Sequence, residues 1–193
     1  MPNWCANALH IDGPDAARFV EATQVENDTV HNLLGTFLPM PEELRDTTAP
    51  PRAENGETEA GFAARTQKLI DTYGAADWYD WAVGHWGTKW DVDADFLDGD
   101  KPAFTFETAW APPEMWLEQV SQQFPEATFT LAYCEAGMAF AGWVKYRDGG
   151  KMEEYVYEGQ WWEETEDEDD GWAEISDELE AFLEQYNIPG VGG

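Results

Sequence analysis

The sequence predicts an α+β fold of the split βαββαβ kind, an antiparallel sheet with two helices on one face and the other face open. Three observations carry this expectation. Trp4–Ile11, Phe104–Thr108 and Thr128–Cys134 alternate along the chain with the period of a strand. Ala16, Phe19, Val20 and Thr23, and again Met115, Trp116, Gln119, Val120 and Gln123, recur at helical spacing. Glu135-Ala136-Gly137 then turns the chain back into Met138–Tyr146 as a hairpin. Residues 1–152 read as one domain with a helical insertion at about 30–90, and 153–193 as an acidic extension with a C-terminal amphipathic helix.

In the first strand Trp4, Ala6, Ala8 and His10 share one face, and Cys5, Asn7, Leu9 and Ile11 the other. Asp12-Gly13-Pro14 closes it, and Asp15 is placed to cap a helix running to about Glu26. Pro39 and Pro41 predict an extended path through Val30–Leu44, with no helix there. Thr47–Glu59 reads as a loop, and a helix over about Ala60–Tyr73 ends at Gly74.

Trp78–Asp91 holds four of the eleven tryptophans. Trp78, Trp81 and Ala82 predict a short helix that stops at Gly84, with a turn at Gly87. Rings this large favour a buried corner; the other reading is a loop displaying His85, Lys89 and Asp91. Val92–Asp100 reads as an acidic loop, and its spacing is not that of a calcium-binding EF-hand.

Phe104, Phe106 and Thr108 oppose Thr105 and Glu107 across the next strand. Pro112 and Pro113 suit the first turn of a helix that Pro125 stops. Gly142 suggests a bulge or a ring close above it, and Met152–Tyr157 an edge strand. Trp172, Ile175, Leu179, Phe182, Leu183 and Tyr186 lie at helical intervals, with Ser176 or Asp177 inside the helix. This apolar side is expected to dock on the domain, or else on a partner. One strand of the split pattern stays unassigned unless 86–91 or Phe104–Thr108 pairs differently.

Charge separates function classes. Forty acids oppose ten bases, a net charge of −30. Such a field disfavours direct contact with nucleic acid or an anionic membrane and favours a basic protein surface. Adaptation to a salty cytoplasm would leave the same composition. Cys5 and Cys134 make no disulfide framework, and His10, His31 and His85 lack zinc-site spacing, so no cofactor or metal is expected. Neither a signal peptide nor an apolar run of ~18 residues is visible, and the expectation is a soluble, cytoplasmic protein.

MPNWCANAL, FLPMP, DWYDWAVGHWGTKWD, FETAWAPP and FPEATFTLAYCEAGMAFAG together resemble the YubB-like proteins of phages, plasmids and genomic islands. The resemblance covers roughly residues 1–146, and WGTKWD, TAW-x-PP and Y-x-E-x-G in that order make it specific. It implies a ferredoxin-like sheet and a mobile-element setting, and it brings no catalytic residues. The acidic stretch Asp91–Asp100 and the tail after Lys151 depart from it.

Candidates for chemistry are Cys5, Cys134, His85, Lys89 and Glu135. Neighbouring strands could bring the two thiols close, but small buried thiols are usually inert packing. His85 with Asp91 is a conceivable base and orienter with no nucleophile beside them, so no enzyme is expected. Lys89 is expected to pair with an acid or lie along a ring. The unusual feature is binding potential. Glu163, Glu164, Glu166, Asp167, Glu168, Asp169 and Asp170, flanked by Trp161 and Trp162, form one candidate surface, and Asp91, Asp93, Asp95, Asp98 and Asp100 a second. The expected partner is a basic, nucleic-acid-binding host protein or complex whose site the acids block or mimic; the alternative is an accessory domain adapted to high salt.

Overall fold

The computed structural model describes residues 3–99, 101–162 and 175–189. In chain order the elements are β1 (Trp4–Asp12), α1 (Ala16–Thr23), β2 (Thr29–Val30), α2 (Leu33–Phe37), α3 (Glu42–Arg45), α4 (Glu59–Tyr73) and α5 (Trp78–Trp86). They continue as β3 (Ala94–Leu97), β4 (Ala103–Ala109), α6 (Glu114–Ser121), β5 (Thr128–Glu135), β6 (Phe140–Arg147), β7 (Gly150–Val156) and α7 (Asp177–Gln185). The seven strands form one sheet in the order β2-β3-β4-β1-β5-β6-β7, antiparallel throughout. Within it, β1-α1-β3-β4-α6-β5 is the split βαββαβ unit, widened by β2 at one edge and by β6 and β7 at the other.

The unassigned strand is β3, inside the run read as an acidic loop. Ala94 is buried and Phe96 half-buried while Asp95 and Leu97 are exposed. The alternation is there, but four residues among so many acids give it little weight.

The predicted faces of β1, β4 and β5 hold. On one side Leu9, Ile11, Phe104, Phe106, Phe129 and Leu131 join Phe19 of α1 and Trp116, Leu117 and Val120 of α6 in the main core. Phe19 stacks on Phe37 at 4.4 Å and meets Phe104, Phe124 and Phe129 edge-on. On the other side Ala6, Ala8, Ala132, Cys134 and Ala141 form a shallow floor for Leu179, Phe182 and Leu183 of α7. That face is therefore not open, as the split pattern alone suggested. Small residues on three adjacent strands let the helix approach closely, and the Leu179 and Phe182 rows fill the gap. Ser176 is the N-cap of α7, not an interior residue, and its hydroxyl accepts a hydrogen bond from the Leu179 N–H at 3.2 Å. At the other end His10 Nε2 lies 2.6 Å from the Tyr186 carbonyl.

The insertion corrects two expectations. Val30–Leu44 contains α2 and α3, on either side of Pro39. A five-residue helix is not stable on its own, and α2 is held from outside. The Asp91 carboxylate accepts hydrogen bonds from the N–H groups of Leu34 and Gly35, each at 2.9 Å. The Trp116 indole donates to the Leu34 carbonyl at 3.0 Å, the Trp86 indole to the Leu38 carbonyl at 2.9 Å, and the Gln123 amide to the Phe37 carbonyl at 3.1 Å. Helix ends leave backbone groups such as the Leu34 and Gly35 N–H and the Phe37 and Leu38 carbonyls without partners inside the helix, and these distant side chains supply them; the Trp116 indole adds a second bond to the Leu34 carbonyl, which also accepts from the Leu38 N–H. Helix α5 runs through Gly84 and stops at Gly87, which takes the left-handed φ of 81°. Asp77 caps its start, accepting from the N–H groups of Tyr79 and Asp80.

At α1, Asp15 is the N-cap residue but its carboxylate accepts from the Glu126 N–H instead, and the helix ends at Thr23, short of Glu26. Helix α6 ends at Ser121, short of Phe124. Gly142 has the Tyr133 ring close by and the Tyr155 carbonyl 2.2 Å from where a Cβ would stand; the bulge lies between Lys145 and Tyr146.

Two glycines should respond oppositely to alanine. A Cβ at Gly35 would sit 2.4 Å from the Asp91 carboxylate, whereas one at Gly84 meets nothing within 4 Å. Gly35→Ala is expected to cost about 1–3 kcal/mol by displacing that cap. Gly84→Ala, in the exposed middle of α5, should stabilise by about 0.5–1 kcal/mol. Thermal or urea unfolding of the two variants measures both.

Candidate functional site

Helix α7 covers only part of its face of the sheet. Cross-strand register puts Glu107 beside Ala6, Thr105 beside Ala8, and Asp95 beside Thr105, all on the α7 side. Ala6 and Ala8 lie under the helix cluster, but Asp95 and Glu107 stay exposed. A groove of about 480 Å³ opens there, floored by Thr105, Glu107 and Ala109 and lined also by Pro189, just past α7. Trp4 and Trp90 form its wall, 47% and 40% exposed, with ring centroids 6.1 Å apart and planes tilted by 32°.

The predicted carboxylates divide in two. Asp91 lines the groove but is committed to capping α2; burial pushes its carboxyl up, partly offset by hydrogen bonds from the Val92, Leu34 and Gly35 N–H groups. Asp93 accepts from the Asn32 N–H at 3.0 Å and meets His31 Nδ1 at 2.9 Å, and those two contacts hold it below the usual carboxylate range. Asp95 and Glu107 have no ion-pair partner among the described residues. Asp98 is exposed just past β3 and does not line the groove. The sequence reading missed Trp4, Trp90 and Glu107. Their signal was present, since Glu107 is the one charged residue of β4 and points away from Phe104 and Phe106, but it takes the β1–β4 register to bring Trp4 and Glu107 to one place.

Of the first candidate surface, Glu163–Asp170 lies outside the described residues, as does Asp100 of the second. Trp161 is half-buried and packs edge-on against Tyr157 at 5.9 Å, so it serves the α7 core. Trp162 is 40% exposed and bridges to Ile175.

Behind the groove wall is a second aromatic feature. The Lys89 ammonium sits 4.0 Å from the Trp90 ring centroid, 5.6 Å from Trp110 and 5.9 Å from Trp78. Trp110 holds a left-handed φ of 70°, an uncommon conformation for so bulky a residue. Lys89 therefore lies along ring faces, one of the two expected arrangements.

The chemical candidates are built into the fold. Cys5 and Cys134 are on paired strands, but register sets Ala6 against Cys134, so the thiols alternate to opposite faces. Burial pushes both thiols up, Cys134 to about 12 with Glu135 adding to it. Glu135 accepts from the N–H groups of Gly137 and Met138 and thereby shapes the hairpin turn. His85 stacks on Trp81 at 4.4 Å with Nδ1 2.9 Å from the Trp81 carbonyl, and it does not meet Asp91. Among the described residues no His/Cys/Asp/Glu group is arranged to hold a metal ion, and no helix is long and apolar enough to cross a membrane.

Residues 85–176 match the family model described as the ferredoxin-like domain in Api92-like protein. That stretch is a ferredoxin-like domain. It holds β3 through β7 and α6, while β1 and α1, which complete the split unit, precede it. A crystal structure of the protein Api92 from Yersinia pseudotuberculosis aligns with 12% identity and a TM-score of 0.47, over 82% of this chain and 99% of that one. No curated protein matches the chain.

Thiol chemistry tests the burial of both cysteines. At pH 8 the native protein should give no rapid reaction with a disulfide reagent, because neither thiol ionises there. Two thiols should react after unfolding in guanidinium. A thiol that reacts in the native state would contradict this packing.

Proposed function

We propose that this protein is a non-catalytic, acidic binding protein whose partner is a basic, nucleic-acid-binding protein or complex. The observation that carries the reading is the groove beside α7, where exposed tryptophans adjoin Asp95 and Glu107, carboxylates without an ion-pair partner among the described residues. Interface anchors are enriched in tryptophan, and unpaired carboxylates attract a cationic partner from a distance. Most bases are spent internally: Arg18, Arg65, Lys101, Lys145 and Lys151 each hold a carboxylate, and Lys89 lies among rings. The net −30 is what remains after all ten bases are counted, and few of those bases are left free to offset the acids that face outward.

In its specific form the proposal is an inhibitor carried by a mobile element. It would act in the cytoplasm, occupying the nucleic-acid site of a host defence complex such as a CRISPR effector or a restriction enzyme. The resemblance to phage and plasmid proteins supports the setting, and the acidity supports the site. Glu163–Asp170 would add to the same field. A second reading has an observation of its own. Glu21, Glu26, Asp46, Glu118, Glu126, Glu180 and Glu184 are all exposed on scattered elements, as in an accessory domain adapted to salt.

Competition separates the two. At ~0.1 M salt a captured basic complex should be released by added duplex DNA, and binding should weaken steeply by ~0.5 M as exposed charges are screened. Should nothing basic bind while the fold melts as salt is removed, the acidity serves solubility and the salt-adapted reading stands.

A further inference from the structure

We propose that the groove beside α7 is an arginine pocket: it takes one guanidinium from an extended basic segment, stacked on Trp4 and paired with Asp95 and Glu107. This rests on the reading of the protein as a binder of basic partners and names the group that the groove recognises.

The walls select the chemistry. Trp4 offers an indole face at the rim, nearly half exposed at the start of β1. Trp90 already has the Lys89 ammonium 4.0 Å from its ring, which leaves Trp4 as the indole of the pair that is open to a guest cation. The floor supplies Asp95 and Glu107, which flank Thr105 across β3 and β4 and lack ion-pair partners among the described residues. An apolar guest would leave these carboxylates unpaired, and an anionic guest would meet repulsion from them and from Asp93. A cation suits both.

Arginine suits them better than lysine. A guanidinium is planar, stacks on an indole and still presents its edge donors to carboxylates, while an ammonium is a compact and strongly hydrated point charge. The groove's volume of about 480 Å³ admits a side chain and some backbone, and a drug-sized or cofactor-sized pocket begins near ~300 Å³, so one residue fits without opening the fold. Thr105, Glu107 and Ala109 lie along one strand of the groove floor, so the form of occupant that meets them in turn is an extended segment running along the sheet face.

Isothermal titration of the full chain with three short peptides tests this. They are identical except for a central arginine, lysine or citrulline, the last being a neutral isostere of arginine. At ~0.05 M salt the arginine peptide should bind at least about threefold tighter than the lysine peptide and about tenfold tighter than the citrulline one. Trp4→Ala, and separately the pair Asp95→Asn with Glu107→Gln, should each weaken the arginine peptide by about fivefold or more. All three positions are exposed, and unchanged melting curves will show that the variants fold. Replacing Asp98 and Glu126 with their amides is the control for loss of charge alone, and should weaken binding by less than about twofold. Equal binding of arginine and citrulline, or equal losses in the groove and control variants, overturns the pocket. If the variants keep full affinity for a captured nucleic-acid-binding complex that DNA still displaces, the pocket falls and the broader function survives. If no basic probe binds at all, both fall.

Discussion

Strand β1 has neighbours on both edges and buried side chains on both faces, and the rest of the molecule follows from that demand. Leu9 and Ile11 require a helical layer on one side, which α1, α6 and the insertion supply. Ala6 and Ala8 require a second layer on the other, and α7 supplies it. The two layers are unequal. Strands are spaced by about 4.8 Å, so seven of them span roughly 30 Å, while a single helix is about 10 Å across. One helix cannot cover that face. It sits over the alanines of β1, β5 and β6 and leaves β3 and β4 bare, and the uncovered strip is where Glu107 and Asp95 point outward.

The aromatic residues do two different jobs. Buried indoles act as hydrogen-bond donors that tie the insertion to the ferredoxin-like sheet: Trp86 reaches the Leu38 carbonyl just past α2, and Trp116 the carbonyl of Leu34, whose N–H Asp91 caps. Trp4, Trp90 and Trp110 remain 40% exposed or more, gathered around Lys89 and the groove. A tryptophan that is buried needs a partner for its N–H, and one that is exposed offers a large face at small entropic cost. The stretch Trp78–Asp91 contributes to both, which is why it is so dense in rings.

Much of the fold was legible in the sequence because β1, β4 and β5 alternate cleanly and α6 keeps its period over two turns. What escaped has two causes, dependence on distant residues and local signals too short or too diluted to stand out. Helix α2 exists because Asp91 and two indoles complete it, and no local pattern in Val30–Leu44 reports them. Strand β3 is four residues long and its alternation is diluted by acids. Ser176 caps α7 by reaching the Leu179 N–H, a role that the apolar spacing on both sides disguised. The groove was half legible. Asp93 and Asp95 were singled out as acids, but Trp4 and Glu107 are about a hundred residues apart and meet only through strand register. Asp91 was singled out for the wrong reason, since its carboxylate is held by the backbone it caps.

Two parts of the molecule compete to explain the acidity: the groove, and the run Glu163–Asp170 beside Trp162. Tryptophan indole resonances distinguish them without any mutation. The chain labelled with ¹⁵N at its eleven indoles, titrated with an arginine-containing peptide, should show the Trp4 and Trp90 signals shifting first and together. Movement of Trp161 and Trp162 with Trp4 and Trp90 unmoved would place the contact at the acidic run and contradict the groove as the binding site.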